Sequence, residues 1–309
     1  MHRISRPRPD DAAAIHELVA AYDTAVVGAP DLTLDDVADE LAAPGFDHDK
    51  DGWLAYGEDG RLDGWARTLA VGDSDLVEAE VVVRPGAEGP AGDLWGRVLR
   101  RARELGAERG HDGVTVHIDV YATDDAKRAM AAEHGFEPGT SFHRMRIDHH
   151  GAALPPEPPA GVTVDSGDDE DVRREGYRVH QEGFADHFGF VPTTYEQWHA
   201  RRQAMSKNDW SQLTLARIDG RPAGVIIGND QFADDEKCGY VAALAVLPDF
   251  RGRGLGRFLL RHAFAADAAR GRRGTILHVD SANATPAVGL YESAGMRRVL
   301  SIDVWQRRV

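Results

Sequence analysis

A single cysteine, Cys238, stands among 309 residues, so no disulfide can close within the chain and an oxidising compartment is not indicated. No stretch approaches the roughly 18 consecutive apolar residues of a membrane-spanning helix. The opening residues, MHRISRPRPDD, carry no apolar segment behind their basic ones, so no secretory signal is read there. From these absences we expect a cytoplasmic protein with no membrane partner. Basic charge is scarce as well: 36 Lys and Arg stand against 51 Asp and Glu, a net charge of −15. Nucleic-acid binding needs a basic footprint and is not expected. Neither HExxH, CxxC nor a paired-histidine spacing occurs, so no metal is expected.

What is present is unevenly spread. Residues 1–150 hold 16 basic and 30 acidic side chains, residues 151–309 hold 20 and 21, and within these residues 251–309 hold 11 and 4. The acidic first half reads as a solubilising surface, or as one that attracts a polycation; only the C-terminal part is built to meet an anion. Between the halves lies HHGAALPPEPPAG, with four prolines in five residues, an extended and semi-rigid stretch. It predicts an N-terminal domain over 1–148, a linker over 149–161 and a C-terminal domain over 162–309. Hydrophobic residues make up 42% of the chain, enough for a core in each.

Both parts show one order of elements: strand, two helices, hairpin, strand, helix, strand, helix, strand. The hairpins turn at Glu58-Asp59-Gly60 and at Ile218-Asp219-Gly220. An internal repeat of about 160 residues explains this economically. The alternation predicts an α/β (α+β) chain, each part a mixed sheet flanked by helices.

The densest signal is PDFRGRGLGR, Pro248 to Arg257, between the apolar run VAALAVL and the helical run FLLRHAFAADAAR. Glycines permit positive φ and close approach, and free N–H groups at a helix start cradle anions. Arginines beside them add charge-assisted contacts to phosphate. The sequence thus reads as a pyrophosphate site, the alternative being a glycine-rich turn with solvated arginines. It is not a Walker loop, for no Lys-Ser/Thr follows, and Arg257 stands where a dinucleotide fingerprint needs its third glycine.

Arg251-x-x-Gly254-x-Gly256 after a strand ending in Val-Leu-Pro resembles the acyl-CoA loop of the GCN5-related N-acetyltransferases. A second stretch, Asn283-Ala-Thr-Pro-Ala-Val-Gly-Leu290-Tyr291-Glu-Ser-Ala-Gly295-Met296, is similar to that family's N-x-x-A-x-x-L-Y-x-x-x-G-F motif, with Met296 where Phe is commoner. The resemblance covers residue 162 to the C-terminus directly and the first half only through the repeat. It implies two tandem domains, each with a mostly antiparallel twisted sheet, and acetyl-CoA as cofactor. It further implies that Arg251, Gly252, Arg253, Gly254, Leu255, Gly256 and Arg257 hold the CoA pyrophosphate. Leu244, Ala245 and Val246 on the central strand would offer backbone groups to pantetheine, Asn283 would bind the same arm, and Tyr291 would protonate the leaving thiolate. The alternative for Tyr291 is a helix tyrosine packed in the core.

The repeat supplies an internal comparison. With Pro85 set on Pro248, Glu88 stands at Arg251, Pro90 at Arg253 and Asp93 at Gly256; with Gly135 set on Gly295, Thr123 stands at Asn283 and Ala131 at Tyr291. Every position that would bind or protonate CoA is lost, so the first domain is read as degenerate and without CoA.

The base is open. Many family members carry a glutamate six residues before the position of Val246; here Tyr240 stands there. Glu236 in the preceding loop and His187 are candidates, with His278 a weaker one. The segment from His180 to Trp198 is the expected acceptor wall, with Glu182, Phe184, Asp186, His187, Phe188, Tyr195 and Trp198. Aromatics with a few acids suit a cationic or amphipathic amine; the alternative is an amphipathic helix pair with its rings in the core. The expected activity is N-acetylation of a primary amine on a small molecule by direct attack in a ternary complex. The layout is also similar to tandem members of the family that acetylate the cysteinyl amine of a thiol sugar. A CoA-binding regulatory protein without chemistry is the reading from a different class. A monomer or homodimer is expected.

Overall fold

The computed structural model describes residues 2–87, 89–151, 154–281 and 287–309. Contacts divide the chain into two units. One comprises residues 1–141 with 302–309, the other residues 142–301.

In unit 1, β1 (Arg3–Ser5) leads into α1 (Ala12–Val27) and α2 (Leu34–Leu41). Thr33 caps α2 with a full capping box, its Oγ1 accepting from Asp36 N while the Asp36 carboxylate accepts from Thr33 N. There follow β2 (Gly52–Tyr56), β3 (Leu62–Ala70), β4 (Leu76–Val83), α3 (Ala91–Glu108), β5 (Thr115–Tyr121), α4 (Asp125–Glu133) and β6 (Glu137–Asp148). Successive pairs from β1 to β4 are antiparallel and β4–β5 is parallel. Alternate side chains feed two cores. Trp53, Ala66, Trp95 and Ile118 meet on the α3 face, and Ile15, Leu54 and Trp65 on the α1/α2 face.

Unit 2 repeats the order with β7 (Val162–Ser166), α5 (Glu170–Phe184), α6 (Tyr195–Gln203), β8 (Leu213–Ile218), β9 (Arg221–Asn229), β10 (Cys238–Val246), α7 (Leu255–Ala269), β11 (Gly274–Asp280), α8 (Ala287–Ser293) and β12 (Arg297–Arg308). Asp169 and Thr194 cap α5 and α6. Asp219 and Gly220 take φ of 50° and 75° between β8 and β9, the two positive values that a two-residue hairpin turn of matching twist requires. The pairs β7–β8, β8–β9 and β9–β10 are antiparallel and β10–β11 is parallel. Each unit is therefore a mixed, mostly antiparallel sheet between two helical layers, as the alternation predicts. No described helix is long and apolar enough to cross a membrane.

The division falls elsewhere than at the proline-rich stretch. Residues 302–308 of β12 pair with β5 of unit 1, from Ile302 opposite Tyr121 to Arg308 opposite Thr115. Residues 142–148 of β6 pair with β11 of unit 2, from Phe142 opposite Asp280 to Asp148 opposite Gly274. The last strand of each half thus completes the sheet of the other unit, which a cut between 148 and 162 does not allow for.

Candidate active site

The chain leaves β10 through Leu247 and a 3-10 turn at Pro248–Phe250. Arg251 is extended, and Gly252 and Gly254 take φ of 74° and 78°, a region closed to most side chains. Gly254 is the N-cap of the 15-residue helix α7, and no side chain caps it. The N–H groups from Gly252 to Arg257 meet no acceptor among the described residues. A Cβ on Gly252 or Gly254 would meet nothing within 4 Å, so the turn is open as well as uncapped. Uncapped N–H groups with the positive end of the helix dipole attract an anion. Leu255 contributes its N–H only, since its side chain is buried. Gly256 lets α8 approach, a Cβ there lying 3.4 Å from Leu290 Cδ2.

The arginines divide in role. Arg251 Nε donates to Val246 O at 3.0 Å, and Arg253 lies 5.7 Å from the Phe250 ring, so both flank the open turn. Arg257 turns to α8, donating to Ser293 O at 3.2 Å. Other arginines of the basic stretch are paired elsewhere: Arg272 with Asp230, Arg297 with Asp148 and, within unit 1, Arg308 with Asp75.

Beside the turn, β10 parts from its neighbour. Its parallel ladder with β11 runs only from Cys238 to Val241, although the strands continue to Val246 and Asp280. A bulge against β9 between Val241 and Ala243 resets the alternation there. Leu244 and Val246 then face the α7 core while Ala243 and Ala245 face α5. Among the described residues the backbone groups of Leu244 and Val246 that face away from β9 have no strand partner, only Val246 O being met, by Arg251 Nε, which suits an extended amide-bearing chain.

Tyr291 sits in α8, 8% exposed, within the α7-side core. Burial pushes its phenol up to about 12, and its hydroxyl has no hydrogen-bond partner among the described residues. Asn283 lies outside the described residues.

On the α5/α6 face of the same sheet the structure assembles a polar group. Tyr240 Oη lies 3.0 Å from His278 Nδ1, and Arg144 Nε donates to His278 Nε2 at 3.2 Å. An arginine can only donate, so His278 keeps its proton on Nδ1 and gives it to the Tyr240 oxygen. Burial, with Arg144 beside it, lowers His278 to about 3, and burial raises Tyr240 to about 12. Glu236 is clamped by Arg144 Nη1 at 3.3 Å and Arg146 Nη1 at 2.5 Å. Its carboxylate therefore orients Arg144 rather than standing free to take a proton. Both nitrogens of His278 are likewise engaged.

Of the expected acceptor wall, Phe184 packs between His180 and His187, with centroids 4.7 and 4.3 Å away. His187 is half-buried, and burial lowers its imidazole against the opposing effect of Asp280. Phe188 is half-buried, whereas Glu182 and Asp186 are exposed. Trp198 and Tyr195 are buried in the core under α5, and each carries an arginine of the chain itself: Arg202 lies 5.1 Å from the Trp198 ring and Arg174 4.1 Å from Tyr195. The Tyr195 hydroxyl is taken by Glu170 at 3.0 Å. The sequence reading did not single out Arg144 or Arg202. Arg144 was hidden because the strand exchange brings it from the first half, and Arg202 because a helical arginine normally reads as solvated.

The corresponding turn of unit 1 is built differently. Its helix begins one residue sooner after the strand, so the N-cap is Pro90, at the place of Gly254 rather than of Arg253, and Asp93 falls at Arg257. A proline at the cap has no N–H to offer. The His2 ring lies 2.9 Å from where a Cβ on Gly89 would stand. Glu88 lies outside the described residues. Ala131, fully buried, stands in α4 as Tyr291 does in α8; the N–H of Phe136 returns to Ala131 O as that of Met296 returns to Tyr291 O.

Comparison with known proteins gives the family and the fold. The Acetyltransferase (GNAT) family model matches residues 177–296. A mycothiol acetyltransferase of Cellulomonas flavigena is 32% identical over 260 residues, 79% of this chain and 70% of that protein. Another, of Thermobispora bispora, is 32% identical over 76% of this chain and 77% of its own length. Among solved structures, a GCN5-related N-acetyltransferase from Sphaerobacter thermophilus superposes with a TM-score of 0.82 at 25% identity, covering 99% of this chain and 95% of that one. A tandem GNAT protein from the clavulanic acid biosynthesis pathway shares the fold, with a TM-score of 0.75 at 17% identity, covering 100% and 98%. The chain belongs to the GNAT acetyltransferase family and is a tandem member of it.

Proposed function

We propose that unit 2 transfers the acetyl group of acetyl-CoA to a primary amine of a small molecule, and that unit 1 holds no CoA. The observation that carries this is the conjunction, in one unit, of an uncapped glycine turn, a strand end without a strand partner and a buried phenol whose hydroxyl meets no hydrogen-bond partner, all among the described residues. The turn from Gly252 to Arg257, with Arg251 and Arg253 beside it, fits a pyrophosphate, and the edge from Leu244 to Val246 fits pantetheine. Bound acetyl-CoA supplies the activated acetyl group. The amine, entering from the α5/α6 face as the free base, forms the C–N bond as the C–S bond breaks. A backbone N–H near Val246 is available for the charge that develops on the carbonyl oxygen. Tyr291, neutral across the physiological range, gives its proton to the departing sulfur and recovers one from solvent. The amine's proton passes to water, since Glu236 and His278 are both engaged.

A second reading of the acceptor, a cysteinyl amino-sugar thiol, is favoured by the similarity to mycothiol acetyltransferases over three-quarters of the chain. Thiol release from acetyl-CoA across a panel of amines, including that sugar thiol, tests both. Turnover is expected with at least one amine, and Tyr291→Phe should lower it about 100-fold while CoA still binds. CoA binding without turnover on any amine would leave a regulatory role instead, and unchanged turnover in the variant would remove Tyr291 from the chemistry.

A further inference from the structure

The acceptor face of unit 2 offers donors where many family members offer a carboxylate. Tyr240 stands at that position, and because its oxygen accepts from His278 Nδ1–H, its own hydrogen is left for another acceptor. Arg202 shares this face, close enough to Tyr240 and His180 to act on both electrostatically. It forms no ion pair among the described residues, and burial together with the neighbouring Arg201 cation lowers its guanidinium. Its Nε is buried without an acceptor. A half-buried guanidinium with an unmet donor is costly to keep unless something pairs with it. Two of the aromatic rings that could receive a cationic acceptor already carry an arginine of the chain, Trp198 with Arg202 and Tyr195 with Arg174.

We propose that the amine acceptor of unit 2 also bears a carboxylate, which pairs with Arg202 and accepts the Tyr240 O–H. A planar guanidinium matches a carboxylate two bonds at a time. The proposal rests on the reading of unit 2 as an amine acetyltransferase; it narrows the substrate class to amino acids and similar amino carboxylates and stands against the cysteinyl sugar thiol, whose cysteine carboxyl is tied up as an amide.

The test compares glycine, β-alanine, γ-aminobutyrate and L-glutamate each with the amide that lacks the carboxylate but keeps the amine. Amidation makes a nearby amine less basic and so richer in free base, so a preference for the acid cannot come from the amine itself. We expect kcat/KM to favour the acid about tenfold or more in at least one pair. Arg202→Gln should bring that ratio near one, chiefly through KM, and Arg202→Lys should restore part of it. CoA affinity, measured in parallel, shows that each variant is folded. A ratio of one or less in every acetylated pair, or a ratio unchanged by Arg202→Gln, overturns the proposal. Calorimetry of the same acids against the CoA-saturated protein separates the two readings. Binding of an acid that depends on Arg202, with no turnover, would contradict acetyl transfer while upholding the carboxylate site. Absence of any such binding would overturn the carboxylate site.

Discussion

Two buried side chains of unit 2 show how a single environment sets a residue's use. Tyr291 has its phenol raised by burial alone, with no charged group contributing. It therefore stays protonated at any pH where an amine acceptor is partly free base, which is what an acid needs and a base cannot use. Asp267 is the opposite case. It is 6% exposed, accepts the Thr275 hydroxyl at 2.5 Å, and is raised by burial to about 6. Between about pH 4 and 6 the folded protein retains a proton that the unfolded chain has lost, so stability falls as pH rises through that window and stays lowered above it. Asp267→Asn keeps an oxygen for Thr275 and removes the buried charge. Urea denaturation should find the variant more stable than wild type by about 1–2 kcal/mol at pH 7.5, with the gap closing toward pH 4. A gap that does not change with pH would show that ionisation of Asp267 is not the cause.

At the scale of elements, the site depends on how closely α5 can lie on β10 just where β10 leaves β11. Gly183 makes that contact, since a Cβ there would stand 2.6 Å from Ala245 Cβ. A side chain must push the helix away or tilt the strand whose free edge reads as the pantetheine track. Gly183→Val should cost about 2 kcal/mol of stability and weaken CoA binding several-fold; full CoA affinity in a destabilised variant would detach the strand edge from cofactor binding. Elements were legible where local chemistry decides them. The caps at Thr33 and Thr194, the Asp219-Gly220 turn and the apolar run of β10 are all written in neighbouring residues. The strand ends were less so. β6 begins at Glu137 and β12 at Arg297, in polar stretches whose extended form comes from pairing with distant partners, not from their own pattern. The bulge in β10, which sends Ala243 and Ala245 toward α5, leaves no mark in a run of small apolar residues.

For the whole molecule, the repeat and the fold were readable because hydrophobic alternation and turn chemistry recur in the same order twice. The open glycine turn was readable because glycines at that density before a helical run predict positive φ and an uncapped helix start. The exchange of last strands was not, since β6 and β12 suit either unit by composition, and only the register assigns residues 142–148 to β11 and 302–308 to β5. The same exchange concealed the Arg144–His278–Tyr240 chain, and with it the polarity of the acceptor face. The charge asymmetry overcounted the basic residues of unit 2, because Arg307 and Arg308 belong to unit 1, where they bond His134 O and Asp75. We propose that what separates the two units functionally is the turn after the central strand, which offers glycines and uncapped N–H groups from Gly252 to Arg257 and has Pro90 at the cap with the His2 ring beside Gly89 in its counterpart. A calorimetric titration with CoA measures this directly. The account predicts one site per chain, abolished by Arg251→Glu; two sites per chain, or an affinity left near wild type by that substitution, would contradict it.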